Sequence, residues 1–143
     1  MPHCCIGVDV IVGFSGESEE LFLETYHFLN ELDISYLHVF TYSERENTEA
    51  ALAKDPVPLQ ERNKRSKMLR ILSEKKQRAF YEQHLNKNYS ALFENKIEHG
   101  KITGHTENYI KVDTNFDPLL VNEIQQVTLV SINEKGNAEV ILN

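Results

Sequence analysis

Two short segments near the start of the chain place polar residues at the ends of apolar runs. The segment Asp9 to Glu17, DVIVGFSGE, joins a β-branched run to a glycine turn and an acidic helix start. The run Val10–Val12 is typical of a strand buried on both faces of a parallel sheet, and glycine permits the sharp turn after it. Ser15 or Ser18 is placed to cap the following helix. This pattern predicts a ligand-binding corner between a strand and a helix.

A second strand is expected at Tyr36–Ser43, again with polar residues after it. The intervening helix, Ser18–Leu32, has apolar residues at helical spacing, so we predict a βαβ unit with parallel strands. Ligands of such sheets bind at the carboxyl ends of the strands. The candidate ligand-binding residues at these ends are Asp9, Ile11, Gly13, Glu17, Tyr42, Ser43 and Arg45.

Two of these candidates have simpler alternative roles. Asp9 shares a strand face with Ile11, and a carboxylate buried there needs a cation or hydroxyl as partner. The alternative is that Asp9 lies at the solvent-exposed end of the strand. Arg45 can clamp a phosphate or carboxylate, or it can form a surface ion pair with Glu44 or Glu46. The sequence leaves both choices open.

Basic residues concentrate in one predicted helix, from about Leu59 to Leu85, after a polar loop that contains two prolines. The net charge is −7, but eight of the fifteen Lys and Arg residues and two of the 22 acids lie between residues 61 and 78. That stretch therefore carries +6 and the remainder −13. A basic stripe attracts a phosphate backbone, although many such helices are only solvated surfaces. The candidate RNA-binding residues here are Arg62, Lys64, Arg65 and Lys67.

From Tyr89 onward, short alternating segments separated by turn residues replace the helical pattern. Five such segments predict a small antiparallel β-barrel, which either binds oligonucleotides or serves as a structural cap. Residues 86–143 have five basic residues against eight acids, so RNA contacts would come from hydroxyl, amide and aromatic groups. The candidates are His105, Thr106, Asn108 and Tyr109. We predict an α/β domain over residues 1–85 and an all-β domain over residues 86–143.

These blocks resemble a known family. The order DVIVGFSGESEE, a helix, then LHVFTYSERENTEA is similar to the last strands of the radical S-adenosylmethionine (SAM) barrel in methylthiotransferases that modify tRNA. The block GHTENYIKV resembles the RNA-binding TRAM barrel that ends those enzymes. The resemblance implies the C-terminal part of a (βα) barrel followed by a TRAM-like barrel, with Ile11 and Gly13 against the adenosyl group. Ser15 and Asn47 replace the usual proline and glycine, and asparagine tolerates a left-handed turn.

The resemblance further implies SAM and 4Fe-4S clusters as cofactors of the intact enzyme, with one cluster on three closely spaced cysteines. This chain has only Cys4 and Cys5, so it cannot supply three thiolates, and we predict no metal site. We therefore expect a C-terminal fragment that is inactive alone and whose catalytic residues lie upstream. Its expected partners are the missing N-terminal domains and, because a strand edge is left unpaired, a second copy in a homodimer or swapped pair.

Within the family, the resemblance is greatest to the branch that acts on threonylcarbamoyladenosine next to the anticodon, which implies a tRNA anticodon stem-loop as partner. The rival branches act on isopentenyladenosine in tRNA or on an aspartate of a ribosomal protein, and spacing and charge do not select among them. Two other interpretations are a non-catalytic RNA-binding module and a plain α/β domain with a structural cap. The chain lacks a run of about 18 apolar residues and a secretory signal, so we expect a cytoplasmic protein without membrane contact.

Overall fold

The alternating helix and strand signals correspond to two units in the computed structural model, which describes residues 3–143. Residues 6–77 form an α/β unit, and residues 3–5 group with residues 78–143 in a mainly β unit. The division falls between Gln77 and Arg78, inside a helix, whereas the sequence places it near residue 85. One long helix thus supplies residues to both units.

The α/β unit contains two parallel strands and two helices. In chain order they are β1 (Gly7–Val12), α1 (Glu19–Glu31), β2 (Tyr36–Thr41) and the larger part of α2 (Leu59–Glu82). The strands pair in parallel from Gly7 opposite Tyr36 to Val12 opposite Thr41, as predicted for a βαβ unit. Ser18, not Ser15, caps α1, because its Oγ accepts a hydrogen bond from the Leu21 N–H.

The β1–β2 sheet is covered on one face by its helices. The buried core of this unit comprises Val12, Phe22, Leu29, Leu37, Leu69 and Leu72. The opposite face presents Asp9 beside His38 and Ile11 beside Phe40, and we call these four residues the exposed sheet face. Ile11 is 59% exposed and Phe40 is 53% exposed. The prediction that the β1 run is buried on both faces is therefore wrong for the residues described, because both helices pack on one side.

The second unit is a closed five-stranded barrel. Its strands are β3 (Asn88–Glu98), β4 (Lys101–Thr106), β5 (Lys111–Asn115), β6 (Ile124–Ile132) and β7 (Ala138–Leu142). They close in the order β3-β4-β5-β7-β6, and β5 pairs with β7 in parallel. The five predicted strands are present, but the prediction of a wholly antiparallel barrel is wrong. Strand direction can alternate around a closed ring only when the number of strands is even.

The barrel encloses a well-packed core. Phe93, Ile102, Val112 and Leu129 are fully buried inside it, and Phe80 and Tyr81 from the end of α2 join the same cluster. Glycine is needed at position 104, where a Cβ atom would lie 2.5 Å from the Leu92 carbonyl oxygen. The small residue lets β3 and β4 approach closely at this position.

The connections confirm one local prediction and refine two others. Asn47 has φ 63°, the left-handed conformation that its side chain tolerates. The loop before α2 contains one 3-10 turn, Glu49–Leu52, capped by Thr48. The helix α2 ends at Glu82, before the predicted Leu85. Within residues 3–143, the structure contains no helix that is long and apolar enough to cross a membrane.

Candidate cofactor cleft and nucleic-acid surfaces

A cleft of about 440 Å³ lies at the carboxyl end of β2, where the sequence predicts ligand binding. Its walls are formed by Ile11, Phe40, Thr41, Tyr42, Ser43, Arg45, Thr48 and Ala50, and we call it the β2 cleft. Four of the seven predicted ligand residues line it, namely Ile11, Tyr42, Ser43 and Arg45. Ile11 and Phe40 are cross-strand partners, so they form one apolar surface below a polar rim.

Tyr42 supplies a polar atom that its own unit leaves unpaired. Its hydroxyl oxygen is buried and has no hydrogen-bond partner among the described residues. The ring is held by an edge contact with Phe14, at 5.0 Å between ring centroids, and by the guanidinium of Arg62, 5.3 Å from the ring centroid. A buried polar atom without a partner is unusual, and the described residues do not supply one for this hydroxyl.

Arg45 lies at the exposed rim of the β2 cleft. Arg45 forms no ion pair with Glu44 or Glu46 within the described chain. Glu44 pairs with Arg62 instead. The Arg45 backbone is fixed by a 2.8 Å hydrogen bond that the Thr48 hydroxyl donates to its carbonyl oxygen. The guanidinium is thus placed where it can bind a carboxylate or phosphate.

The other three predicted ligand residues do not line the β2 cleft. Gly13 has φ 80°, and a Cβ atom there would collide with the side chain of Arg62. Glu17 accepts a 3.1 Å hydrogen bond from the Gly13 N–H and pairs with Arg65. Asp9 lies on the exposed sheet face. Gly13 and Glu17 therefore both have packing roles within the described chain, and the expectation that the glycine makes room for a ligand ring stays a prediction.

Arg62 and Arg65, two of the predicted RNA-binding residues, are buried, and each side chain is only 7% exposed. They are therefore not accessible to RNA in this structure. Arg62 donates to the Val57 carbonyl at 2.6 Å and to both carboxylate oxygens of Glu44. Arg65 donates to the backbone carbonyl and the carboxylate of Glu17. These arginines hold the loops after β1 and β2 against α2.

A helical spacing that the sequence contains could have revealed this burial. Residues 62, 65, 69 and 72 lie three or four positions apart, so both arginines continue the buried stripe of Leu69 and Leu72. The hydrogen bonds from Arg62 lower the pKa of the Glu44 carboxyl to about 2. The pair is therefore ionised at neutral pH.

Not all of the basic residues behind the charge of +6 over residues 61–78 are exposed. Lys64 and Lys67 are exposed, as are Arg70, Lys75 and Arg78 further along the helix. Lys64 lies 3.5 Å from a carboxylate oxygen of Glu61. The Lys76 ammonium donates to the carbonyls of Asn30 and Leu32 and thereby caps the end of α1.

The candidate RNA-binding residues of the barrel also divide into buried and exposed ones. Thr106 and Asn108 are buried and bond to each other, with 2.6 Å between the Thr106 hydroxyl and the Asn108 Oδ1. The Thr106 hydroxyl also accepts from the Ile110 N–H, so both residues build the β4–β5 turn. His105 is half-exposed, 2.9 Å from Glu94, and Tyr109 is 76% exposed. Only His105 and Tyr109 remain accessible to a ligand.

Several known proteins that are similar to this chain are named as methylthiotransferases. The threonylcarbamoyladenosine tRNA methylthiotransferase of Aquifex aeolicus is 44% identical over 111 residues, which cover 78% of this chain and 26% of that protein. Its namesake from Rickettsia prowazekii is 36% identical over 133 residues, 93% of this chain and 30% of that protein. The ribosomal protein uS12 methylthiotransferase of Alkaliphilus oremlandii is 36% identical over 100 residues, 70% of this chain and 23% of that protein.

The chain belongs to the MiaB-like methylthiotransferase family. It spans about a quarter of the length of the curated relatives that it matches. No protein-family model matches the chain.

The resemblance to the methylthiotransferases implies iron-sulfur clusters, and the side chains of this chain do not fit one. Within the described part of the chain, no three His, Cys, Asp or Glu side chains are grouped so that they could hold a metal ion. Cys4 is exposed, whereas Cys5 is half-buried and packs against the barrel core. Cluster ligation by cysteine requires several thiolates around one site. The described residues therefore do not supply the ligands of such a cluster.

The sequence does not reveal one polar network of the barrel. Asp113 on β5 is buried, and its carboxylate accepts hydrogen bonds from Thr103, Asn133 and Asn137 at 2.8–3.1 Å. Burial acts to raise the pKa of Asp113, but these hydrogen bonds and the charge of Lys111 lower it below its usual value. The ionised carboxylate thus holds the β6–β7 loop against the sheet. The signal in the sequence is the pair of asparagines that flank the Glu-Lys-Gly turn.

Proposed function

We propose that this chain forms part of the SAM-binding cleft and of the RNA-binding surface of a tRNA methylthiotransferase. The proposed substrate is threonylcarbamoyladenosine next to the anticodon of tRNA. Threonylcarbamoyladenosine and tRNA both occur in the names of the Aquifex and Rickettsia relatives. The observation that carries the proposal is the exposed apolar pair Ile11 and Phe40, which leads into the β2 cleft at the strand end. Ligand sites of parallel sheets lie at such ends.

The residues of the β2 cleft fit the parts of SAM. Ile11 and Phe40 offer an apolar surface against which an adenine ring can pack. At the exposed rim of the cleft, the Arg45 guanidinium can bind the carboxylate of SAM. When bound, SAM supplies the radical that removes hydrogen from the base and the methyl group that is added with sulfur. The residues of this chain bind and orient it and exclude water from its apolar side.

The RNA-binding surface is proposed from the accessible residues only. Lys64 and Lys67 on α2 and His105 and Tyr109 on the barrel remain exposed to a ligand. Arg62 and Arg65 are replaced in this role by Arg70 and Lys75, which share the exposed part of the helix. The barrel, which is compatible with a TRAM-like domain, is expected to contact the anticodon stem-loop.

Disruption of the gene that encodes this chain tests the proposed substrate. We expect bulk tRNA from the disrupted strain to lose the methylthio derivative of threonylcarbamoyladenosine, as measured by mass spectrometry of its nucleosides. The methylthio derivative of isopentenyladenosine and the modified aspartate of the ribosomal protein should be unchanged. Loss of either of those products with threonylcarbamoyladenosine methylthiolation intact would assign the chain to a rival branch. No change in any of the three would overturn a methylthiotransferase role.

Two matched isoleucines test the role of the exposed sheet face in the same strain. Ile11 is 59% exposed in the α/β unit, and Ile141 is 56% exposed on β7 of the barrel. Complementation with an Ile11→Asp gene should restore less than a tenth of the methylthiolated nucleoside, because a carboxylate replaces the apolar surface proposed to meet the ligand. The Ile141→Asp gene should restore it fully. Equal restoration by both genes, at equal protein levels on an immunoblot, would remove Ile11 from the site.

A further inference from the structure

The polar rim of the β2 cleft is formed by a loop. Strand β2 ends at Thr41, and the cleft residues Tyr42, Ser43 and Arg45 follow it without regular secondary structure. Loops are more mobile than strands and helices, whereas a binding site is precise only when packing and hydrogen bonds hold its residues. The contacts that fix this loop therefore bear on how well the cleft binds its ligand.

Arg62 of α2 contacts this loop although it is not part of the cleft wall. Its Nη1 atom donates to the Tyr42 carbonyl oxygen at 3.0 Å, and Nη1 and Nη2 donate to the two carboxylate oxygens of Glu44. Its guanidinium also lies 5.3 Å from the centroid of the Tyr42 ring. Tyr42 and Glu44 flank Ser43. Because Glu44 also precedes Arg45, one guanidinium fixes the loop beside both of these cleft residues.

The Arg62 side chain is itself held by contacts outside this loop. Its Nε atom donates to the Val57 carbonyl oxygen at 2.6 Å. Its alkyl part lies against Gly13, where a Cβ atom would collide with it, so the glycine leaves room for the arginine to reach the loop. Only 7% of the side chain is exposed. The group that supports the rim is thus ordered before a ligand arrives, which lowers the entropic cost of binding.

Arg65, three residues further along α2, is buried to the same degree but holds a different loop. Its side chain is also 7% exposed. It donates to the backbone carbonyl and the carboxylate of Glu17, in the loop after β1. Within the described chain its hydrogen bonds do not extend to the loop of Tyr42 and Arg45. The two arginines therefore divide the strand-end loops between them, and of the two it is Arg62 that supports the rim of the β2 cleft.

We propose that Arg62 is a positioning residue for SAM, which acts through Tyr42 and Glu44 to hold the Arg45 guanidinium where it meets the SAM carboxylate. The proposal rests on the proposed function for SAM as the ligand and for Arg45 as its contact. It goes beyond that function in giving a buried basic residue of α2 a role in cofactor binding. Without Arg62 the Arg45 side chain is present but its loop is not fixed, so binding must order the loop and the affinity falls.

The first arm of the test measures the order of this loop in the full chain without ligand. Backbone amide order parameters of residues 43–46, obtained by NMR, should fall from about 0.85 to about 0.6 in Arg62→Gln. Arg65→Gln should leave them unchanged and lower those near Glu17. Glu44→Gln, a milder variant at a side chain that is 47% exposed, should lower them less than Arg62→Gln. Unchanged order at residues 43–46 in both Arg62→Gln and Glu44→Gln would overturn the positioning role.

The second arm measures the Kd of SAM by equilibrium dialysis, with the purified product of the whole gene that contains this chain and at a temperature where every variant is folded. Arg45→Gln should raise the Kd about tenfold, because a charge-assisted hydrogen bond is lost. Arg62→Gln should raise it by a similar factor. Since both act on one contact, the double variant should also be weakened about tenfold and not about a hundredfold. Any effect of Arg65→Gln should instead multiply with that of Arg45→Gln.

The outcomes separate the positioning role from the proposed function. A double variant that binds SAM about as well as either single variant, with a multiplicative effect of Arg65→Gln, supports the role of Arg62. Multiplicative effects of Arg62→Gln and Arg45→Gln, or a Kd unchanged by Arg62→Gln, overturn that role and leave the SAM cleft in place. Coupling of Arg65→Gln to Arg45→Gln of equal size would indicate general loosening of the unit and would also overturn it. A Kd unchanged by Arg45→Gln overturns the assignment of Arg45 to SAM and, with it, the route through which Arg62 acts.

Discussion

The two units differ in how completely they bury their apolar residues. The barrel closes on itself, and Phe93 and Ile102 within it are completely buried. The β1–β2 sheet buries one face and leaves Ile11 and Phe40 more than half exposed on the other. Apolar residues opposite each other on an exposed sheet face are typical of a surface that meets a ligand or another protein segment. The exterior of the barrel instead carries polar side chains such as His105 and Lys111.

Both units use a buried charge to fix a loop at the end of a strand, but the sign of the charge differs. In the α/β unit the cations Arg62 and Arg65 on α2 hold the loops that follow the strands. In the barrel the anion Asp113 on the sheet holds the β6–β7 loop through two asparagines. In each case the buried group hydrogen-bonds neighbouring atoms, as a buried charge requires. A charged residue in this chain is therefore informative only once its burial is known.

Substitutions of one large apolar residue in each unit should give the largest difference. Phe93→Ala should lower the free energy of unfolding of the barrel by about 3–5 kcal/mol, because it leaves a cavity in a closed core. Ile11→Ala should change that of the α/β unit by less than about 0.5 kcal/mol, since its side chain is exposed. Urea titrations followed by NMR cross-peaks of each unit would measure both values. Comparable losses would show that the exposed sheet face is covered in solution, for example by a second copy of the chain.

Two basic residues on α2 should differ by a smaller amount. Arg62→Gln should destabilise the α/β unit by about 2–3 kcal/mol, because the Val57 carbonyl and the Glu44 carboxylate lose their donor. Arg62→Lys should not restore the loss. The single nitrogen of an ammonium cannot replace the three guanidinium nitrogens that contact Glu44 and Val57. Lys67→Gln, five residues away and exposed, should stay within about 0.5 kcal/mol. Thermal unfolding that ranks Lys67→Gln with Arg62→Gln would contradict the structural role of the arginine.

The sequence predicts local features of both units better than it predicts contacts between distant residues. Local conformational rules correctly placed the turn at Asn47, the parallel strand pair and the five barrel strands, because each depends on residues close together in the chain. Net charge over residues 61–78 could not separate Arg62 from Lys67, since that difference depends on which side of α2 packs against the sheet. The Asp113 network joins positions 103, 113, 133 and 137 across three elements, and composition does not reveal such contacts.

The smallest expected effect is a pH dependence at the Arg62–Glu44 pair. Hydrogen bonding by Arg62 lowers the pKa of Glu44 to about 2 from an ordinary value of 4.5. A depressed pKa in the folded state stabilises the protein fully above the unfolded value and loses that contribution as the pH falls toward the folded value. The stability difference between the unaltered chain and Glu44→Gln should therefore be constant from pH 7 to about 5 and shrink from there toward pH 2. Because the Glu44 side chain is 47% exposed, solvent screens the pair and the difference should be small.

Glu46→Gln, two residues away and without an ion pair in the described chain, is the control and should change stability little at any pH. Urea midpoints measured at intervals of pH would test this, and a difference that grows as the pH falls would show that Glu44 is not stabilised as a carboxylate.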